Sequence, residues 1–287
     1  RVDHIAGEEP APNMPVADQK IWKTERTIIR AMMERGTDPI KFICDWGHGV
    51  GREVFASCRM NMIQDSFRPY FASRFKREHP EYCLGKRGDW ENSDNKDLRL
   101  CWSALDWEHE AVRDHRFAMI DDICSRYDVD GMELDFWRWP ILYKPTLNRE
   151  PVEQRHIDMT TDFMRKTHKR MMEIDAGRDR PLILATRVFD TLEINRKMGL
   201  DVEAWLEEGL LDVLVVGGSF NHFSFPVSDW AELAHKHDVP LYACLYGRNG
   251  LEHDLAVASY YWNCGADGIY TFNLRFPTDL EFIQELG

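Results

Sequence analysis

Seven short apolar runs recur along the chain, and most are followed by an amphipathic stretch long enough for a helix. The runs are Glu53–Arg59, Arg99–Asp106, Asp130–Phe136, Leu182–Val188, Asp212–Gly217, Leu241–Leu245 and Gly268–Asn273. Alternation of this kind makes the strands parallel, because a parallel neighbour needs a crossover of a dozen or more residues, usually a helix. Helical stripes support the crossovers: Ile120, Ile123, Cys124 and Tyr127 form one, Ile157, Met164 and Met171 a second, Leu255, Ala258 and Trp262 a third. The pattern predicts an α/β chain folded as a (β/α)8 TIM barrel, with its first strand missing or unrecognised. An open doubly wound sheet is the alternative, but no G-x-G-x-x-G nucleotide fingerprint follows a strand.

The length of 287 residues suits one such barrel. Residues 1–17, with Pro10, Pro12 and Pro15, read as an irregular arm, and 18–287 as a single catalytic domain that opens with a helix from Asp18 to Arg35, stopped by Gly36. The opening Arg1-Val2-Asp3-His4 holds neither a start methionine nor a signal-peptide core, so the native N-terminus is expected upstream. Periplasmic, secreted and cytoplasmic locations all stay open, as does the oligomeric state.

Charge narrows the partners. Lysine and arginine number 36 against 49 acidic residues, a net −13, which argues against a nucleic-acid binder. No apolar run reaches the roughly 18 to 20 residues of a membrane span. The seven cysteines are widely spaced, with no C-x-x-C, and read as mostly free, buried thiols; no structural zinc and no cofactor is implied.

Chemistry concentrates in Asp130-Gly131-Met132-Glu133-Leu134-Asp135-Phe136-Trp137. Side chains alternate along a strand, so Met132, Leu134 and Phe136 share one face and Glu133, Asp135 and Trp137 the other. The apolar set belongs against the helices; two carboxylates there would lose their hydration without compensation. The acidic set is therefore expected in the barrel mouth. By the same parity Ser57, Arg59 and Asn61 oppose an apolar face of Val54, Ala56, Cys58 and Met60. Asp106, Arg187 and Asn273 each end a run, and Gly217-Gly218 leads into Asn221 and His222. Long connections at 60–98 and 137–151 fall on the same side, where barrels build their ligand sites.

Paired carboxylates with aromatic and guanidinium neighbours point to glycoside hydrolysis, in which one carboxyl protonates the leaving oxygen and another acts as nucleophile or base. Asp135, nearer the mouth, is the expected reacting group, Glu133 orients it, and Asp106 or Asp190 supplies the second carboxyl. Trp107, Trp137 and Trp139 offer flat faces to a sugar. Arg59, Arg138, Arg187 and Arg248 suit an acidic or sulfated sugar, or else neutralise Glu133 and Asp135. Two rivals remain: a carbohydrate-binding barrel without catalysis, and a metal-dependent isomerase or hydrolase using Glu133, Asp135, Asp106 and a histidine. The histidines form no H-E-x-x-H motif.

The stretch from Tyr127 to Pro140 resembles the fourth-strand region of glycosyl hydrolases of the family-10-like type, which are barrels mostly of unproven activity. Arg59-Met60-Asn61, Ala104-Leu105-Asp106 and Ala266-Asp267-Gly268-Ile269-Tyr270 fit other elements of that group, so the resemblance covers roughly 38–275. It implies a barrel acting on a poly- or oligosaccharide through carboxylates at strand ends. A second, partial likeness is to the chitinase motif D-G-x-D-x-D-x-E, through Asp130, Gly131 and Asp135. Glu133 replaces its middle aspartate and Trp137 stands at its catalytic glutamate, so the chitinase mechanism does not carry over.

Overall fold

The computed structural model describes residues 14–89, 94, 100–139, 141–218, 222–246, 249–273 and 279–286. Its centre is a six-stranded parallel sheet in sequence order: β1 (Phe55–Arg59), β2 (Gly131–Asp135), β3 (Ile183–Val188), β4 (Val213–Val216), β5 (Leu241–Leu245) and β6 (Gly268–Thr271). Two helices precede it, α1 (Val16–Glu34) and α2 (Pro39–Gly49). The crossovers carry α3 (Glu110–Arg126), α4 (Gln154–Asp175), α5 (Leu192–Lys197), α6 (Val202–Glu207), α7 (Val227–His235) and α8 (Leu251–Asn263), and α9 (Leu280–Leu286) closes the described chain.

The sheet curls. Tyr270 on β6 donates its hydroxyl to Glu133 on β2 at 3.1 Å. Strands four places apart in a flat sheet would lie about 19 Å from each other. Contact across that span requires an arc, so the architecture is a parallel half-barrel. The eight strands expected of a full barrel are not found among the described residues.

Six of the seven runs form strands; Arg99–Asp106 does not. Leu100 and Cys101 are helical, and Leu105 makes only an isolated antiparallel bridge to Cys83. Its apolar residues pack a loop: Cys101 and Ala104 are buried with Ile63, Leu84, Ile141 and Leu147 in a satellite cluster. Burial without a ladder imitated a strand. The stripes of α3 and α4 hold, with Ile120, Cys124, Ile157, Met164 and Met171 all buried. Trp262 departs from its stripe and is 41% exposed.

The outer face of the sheet makes the main core. Met132, Leu134 and Phe136, each at most 2% exposed, pack with Ile120, Phe163, Met164 and Trp205. Each side chain so buried contributes about 1.5–3 kcal/mol. The inner face holds a smaller cluster of Val215, Cys244 and Phe272. A Cβ on Gly131 would lie 2.2 Å from the Phe55 ring, so a larger residue there would displace that exposed side chain. All seven cysteines are free, and five are buried. No helix of the described residues is long and apolar enough to cross a membrane.

Candidate functional site

Register sets the inner face row by row. Ser57, Glu133 and Ala185 lie opposite one another, and Arg59, Asp135, Arg187 and Val215 form the next row toward the C-terminal ends. Glu133 and Asp135 therefore project into the barrel, away from the helices, as their parity required. Both are buried, at 7% and 2% exposure.

Glu133 accepts from the Tyr270 hydroxyl on both oxygens, at 3.2 and 3.1 Å. Burial pushes its carboxyl above the ordinary range, and the Asp135 charge adds to that, against the Tyr270 bond, the Arg187 charge and a bond from Ser57. Asp135 is also raised by burial. The Arg187 charge, the Arg138 backbone N–H and the Arg59 charge oppose the rise. The Arg138 N–H donates to Asp135 Oδ1 at 2.9 Å, a bond that the turn directly after the strand provides. Arg187 Nη1 stands 3.7 Å from Asp135 Oδ2, close enough for charge and too far for a hydrogen bond.

Arg187 has no solvent exposure. Its guanidinium lies 4.1 Å from the Phe272 ring centre, 4.5 Å from Trp137 and 5.0 Å from Tyr270. Nη2 donates to Cys244 Sγ at 3.2 Å, while Nε and Nη1 have no hydrogen-bond partner among the described residues. Burial pushes the Cys244 thiol up to about 12, so it stays protonated at neutral pH. Gly218, at φ +139, makes room for this arrangement: a Cβ would meet Arg187 Nη2 at 2.7 Å and Trp137 Cε2 at 2.8 Å. The approach that glycine allows here is that of the protein's own side chains.

Beyond the strand, Trp137 and Arg138 are half-buried, and Arg138 sits over the Trp139 ring at 4.4 Å. Trp139 holds φ +59, a left-handed conformation unusual for a bulky residue. Asp190 lies two residues past β3; its Oδ1 is buried without a partner and would lie 3.5 Å from a Cβ on Gly217. Asn273, at φ +57, is exposed and donates to the Tyr246 hydroxyl at 3.3 Å.

Other expected residues go elsewhere. Asp106 follows no strand; its Oδ1 caps the Glu108 N–H at 3.0 Å, and its charged surroundings are Glu108, His109 and Lys144. Trp107 is fully buried between Phe136 and Phe163 on the helix side, so its face is closed to a ligand. Asn61 is also fully buried. Its amide donates to the Leu105 and Ile141 carbonyls and its oxygen accepts from Leu105 and Met62, which ties three loops together and leaves nothing for a sugar. Asn221, Arg248 and the side chain of His222 lie outside the described residues. The grouping needed for a metal-dependent reading, Glu133, Asp135 and Asp106 with a histidine, does not form: no cluster of three or more ligating side chains occurs among the described residues.

Sequence reasoning missed Tyr270, Phe272 and Cys244. Parity on β6 carried the signal, since Gly268, Tyr270 and Phe272 share a face, but the polar Thr271 and Asn273 drew attention to the other one.

No family model and no curated protein matches the chain, so the family-10-like resemblance rests on the residues alone. Solved structures do match over most of it. The galactosidase domain of the α-galactosidase–sucrose kinase AgaSK is 14% identical at TM-score 0.48, covering 87% of this chain and 30% of that one. An α-galactosidase from Thermus thermophilus is 15% identical at TM-score 0.42, covering 86% and 49%. An α-amylase from Geobacillus thermoleovorans is 13% identical at TM-score 0.47, covering 87% and 61%. The chain thus spans less than two thirds of the length of each of these.

Proposed function

We propose that this half-barrel belongs to a glycoside hydrolase, with Asp135 as the reacting carboxylate. The observation that carries the reading is the pair of buried acids, Glu133 and Asp135, on the inner face at the C-terminal end of β2, the end at which barrels do their chemistry. Each is held by few donors, and each carboxyl stands above its usual range because burial disfavours the charged form. Such acids exchange protons near neutrality more readily than solvated ones.

Asp135 keeps one oxygen fixed by the Arg138 N–H and feels the Arg187 charge, which favours its ionised form. Glu133, with the Tyr270 hydroxyl on it and the Asp135 charge beside it, positions its neighbour and stores a proton. Asp190 is the better of the two candidates for the second carboxyl. It follows β3, and its Oδ1 has no partner, whereas Asp106 is committed to a cap away from the inner face. Trp137, half-buried over this layer, provides a sugar-stacking surface.

The test is hydrolysis of a panel of neutral, uronic and sulfated glycans by the protein and its Asp135→Asn variant. Cleavage by the first and at least a thousandfold loss in the second, with an unchanged melting transition, supports the assignment. Full turnover by Asp135→Asn rejects it. Glycan binding by calorimetry with no product from the unaltered protein would instead favour a binding barrel.

A further inference from the structure

The acids of β2 stand among more positive charge than they neutralise. Arg59 and Arg187 flank Asp135 in register on the neighbouring strands, and Arg138 follows three residues along with its N–H on Asp135. The guanidinium groups act on one another: burial first, then the Arg59 charge, holds Arg138 below its usual range, and Arg187 contributes in the same direction. On the strands of the inner face only Asp135 and Glu133 oppose them, with Asp190 following past the end of β3, and Glu133 is pushed toward its neutral form.

Donors are left over as well. Arg138 Nε, Arg187 Nε and Arg187 Nη1 are all buried with no hydrogen-bond partner among the described residues. A buried polar group left unpaired destabilises the fold, more so when it is charged. The rings around Arg187 stabilise a cation through their faces but provide no acceptor oxygen apart from the Tyr270 hydroxyl, which bonds Glu133.

We infer that the C-terminal end of the inner face receives an anionic group of the substrate, a carboxylate or sulfate on a sugar ring, which Arg138 and Arg59 meet directly while Arg187 adds its charge from beneath Trp137. This rests on the carbohydrate reading above and names its substrate class. Arg59 and Arg138 are the partly exposed members of the three, and guanidinium pairs with both oxyanions through two parallel hydrogen bonds.

The test is calorimetry of the unaltered protein with four monosaccharides: glucuronic acid and its neutral parent glucose, galactose 6-sulfate and its neutral parent galactose. None has a glycosidic bond to cleave, so the result does not depend on turnover, and failure of the hydrolase reading would appear separately, as no cleavage across the glycan panel. The expected result is that at least one charged sugar binds roughly tenfold or more tightly than its parent, the worth of one charge-assisted hydrogen bond. A preference for glucuronic acid assigns a carboxylate, and one for galactose 6-sulfate a sulfate. Arg59→Met and Arg138→Met, made singly and together, should remove the preference while leaving the melting transition in place. The Arg138 variant keeps the backbone N–H on Asp135. Equal affinity for charged and neutral sugars, no binding of either charged sugar, or a preference that survives both substitutions overturns the inference.

Discussion

The two ends of β2 treat a carboxylate in opposite ways. Asp130, just before the strand, accepts from the Val54 N–H at 2.7 Å, from Arg180 Nη1 at 2.6 Å, and contacts His48 Nε2 at 2.7 Å. Asp135, at the strand's other end, has the Arg138 N–H at 2.9 Å and a guanidinium held off at 3.7 Å. Burial opposes ionisation at both. At Asp130 the bonds from Val54 and His48 and the Arg180 charge outweigh it and hold the carboxyl below the usual range; at Asp135 they do not, and it is raised. Asp135 lies deeper, so burial weighs more there, and its donors are two backbone N–H groups, from Trp137 and Arg138, with no side chain in hydrogen-bond reach. The bonds at the N-terminal end serve stability, while the proposed function makes the less satisfied carboxylate at the C-terminal end the one that meets a ligand.

The largest test of this contrast is in rate. Asp135→Asn is expected to lower glycoside turnover by about three orders of magnitude or more, measured as kcat on any cleaved glycan, with stability nearly unchanged. Asp130→Ala should do the reverse. Arg180 is 42% exposed and His48 24%, so losing the carboxylate should cost about 1–3 kcal/mol, read from urea unfolding, while activity per folded molecule stays the same. If both substitutions moved both quantities, the two ends would not differ in role.

A smaller effect separates them by sign. A carboxyl raised on folding contributes stability that is full below its unfolded value and is lost as pH rises through its folded value. Glu133→Gln keeps an acceptor for Tyr270 and never ionises, so it should melt above the unaltered protein at pH 7, with the gap closing toward pH 4. Each kcal/mol recovered is worth about 2–4 °C for a domain of this size. Asp130 follows the other rule: its contribution is present above its unfolded value and lost as pH falls through the lowered one. Asp130→Asn should therefore flatten the loss of stability on acidification, below about pH 4. A lower melting point for Glu133→Gln at pH 7 would contradict the burial argument.

The inner face of β2 could be read from sequence because its two sides meet different media, and Met132, Leu134 and Phe136 could only belong to the helix layer. Arg99–Asp106 misled because loop burial yields the same apolar content as a strand, and the missing ladder leaves no mark on a single chain. The loss carried Asp106 and Trp107 with it. Asn61 lies on the predicted polar face, but backbone groups from distant loops claim all of its bonding capacity, and no local pattern announces that. Tyr270 reaches Glu133 only because the sheet curls, a property of strand number and stagger that no strand holds alone.

The Asp130–Val54 bond has counterparts. Asp212, ahead of β4, accepts from the Leu184 N–H at 2.7 Å, and Asp267, ahead of β6, from the Leu241 N–H at 2.8 Å. Every second strand thus enters the sheet with an acid fastened to the backbone of the strand before it. These bonds add a side-chain staple from β1 to β2, β3 to β4 and β5 to β6, on a backbone ladder that runs through all six strands. Amide hydrogens at Val54, Leu184 and Leu241, each held by a carboxylate from the following strand's start, should accordingly be among the last near the strand starts to exchange with deuterium.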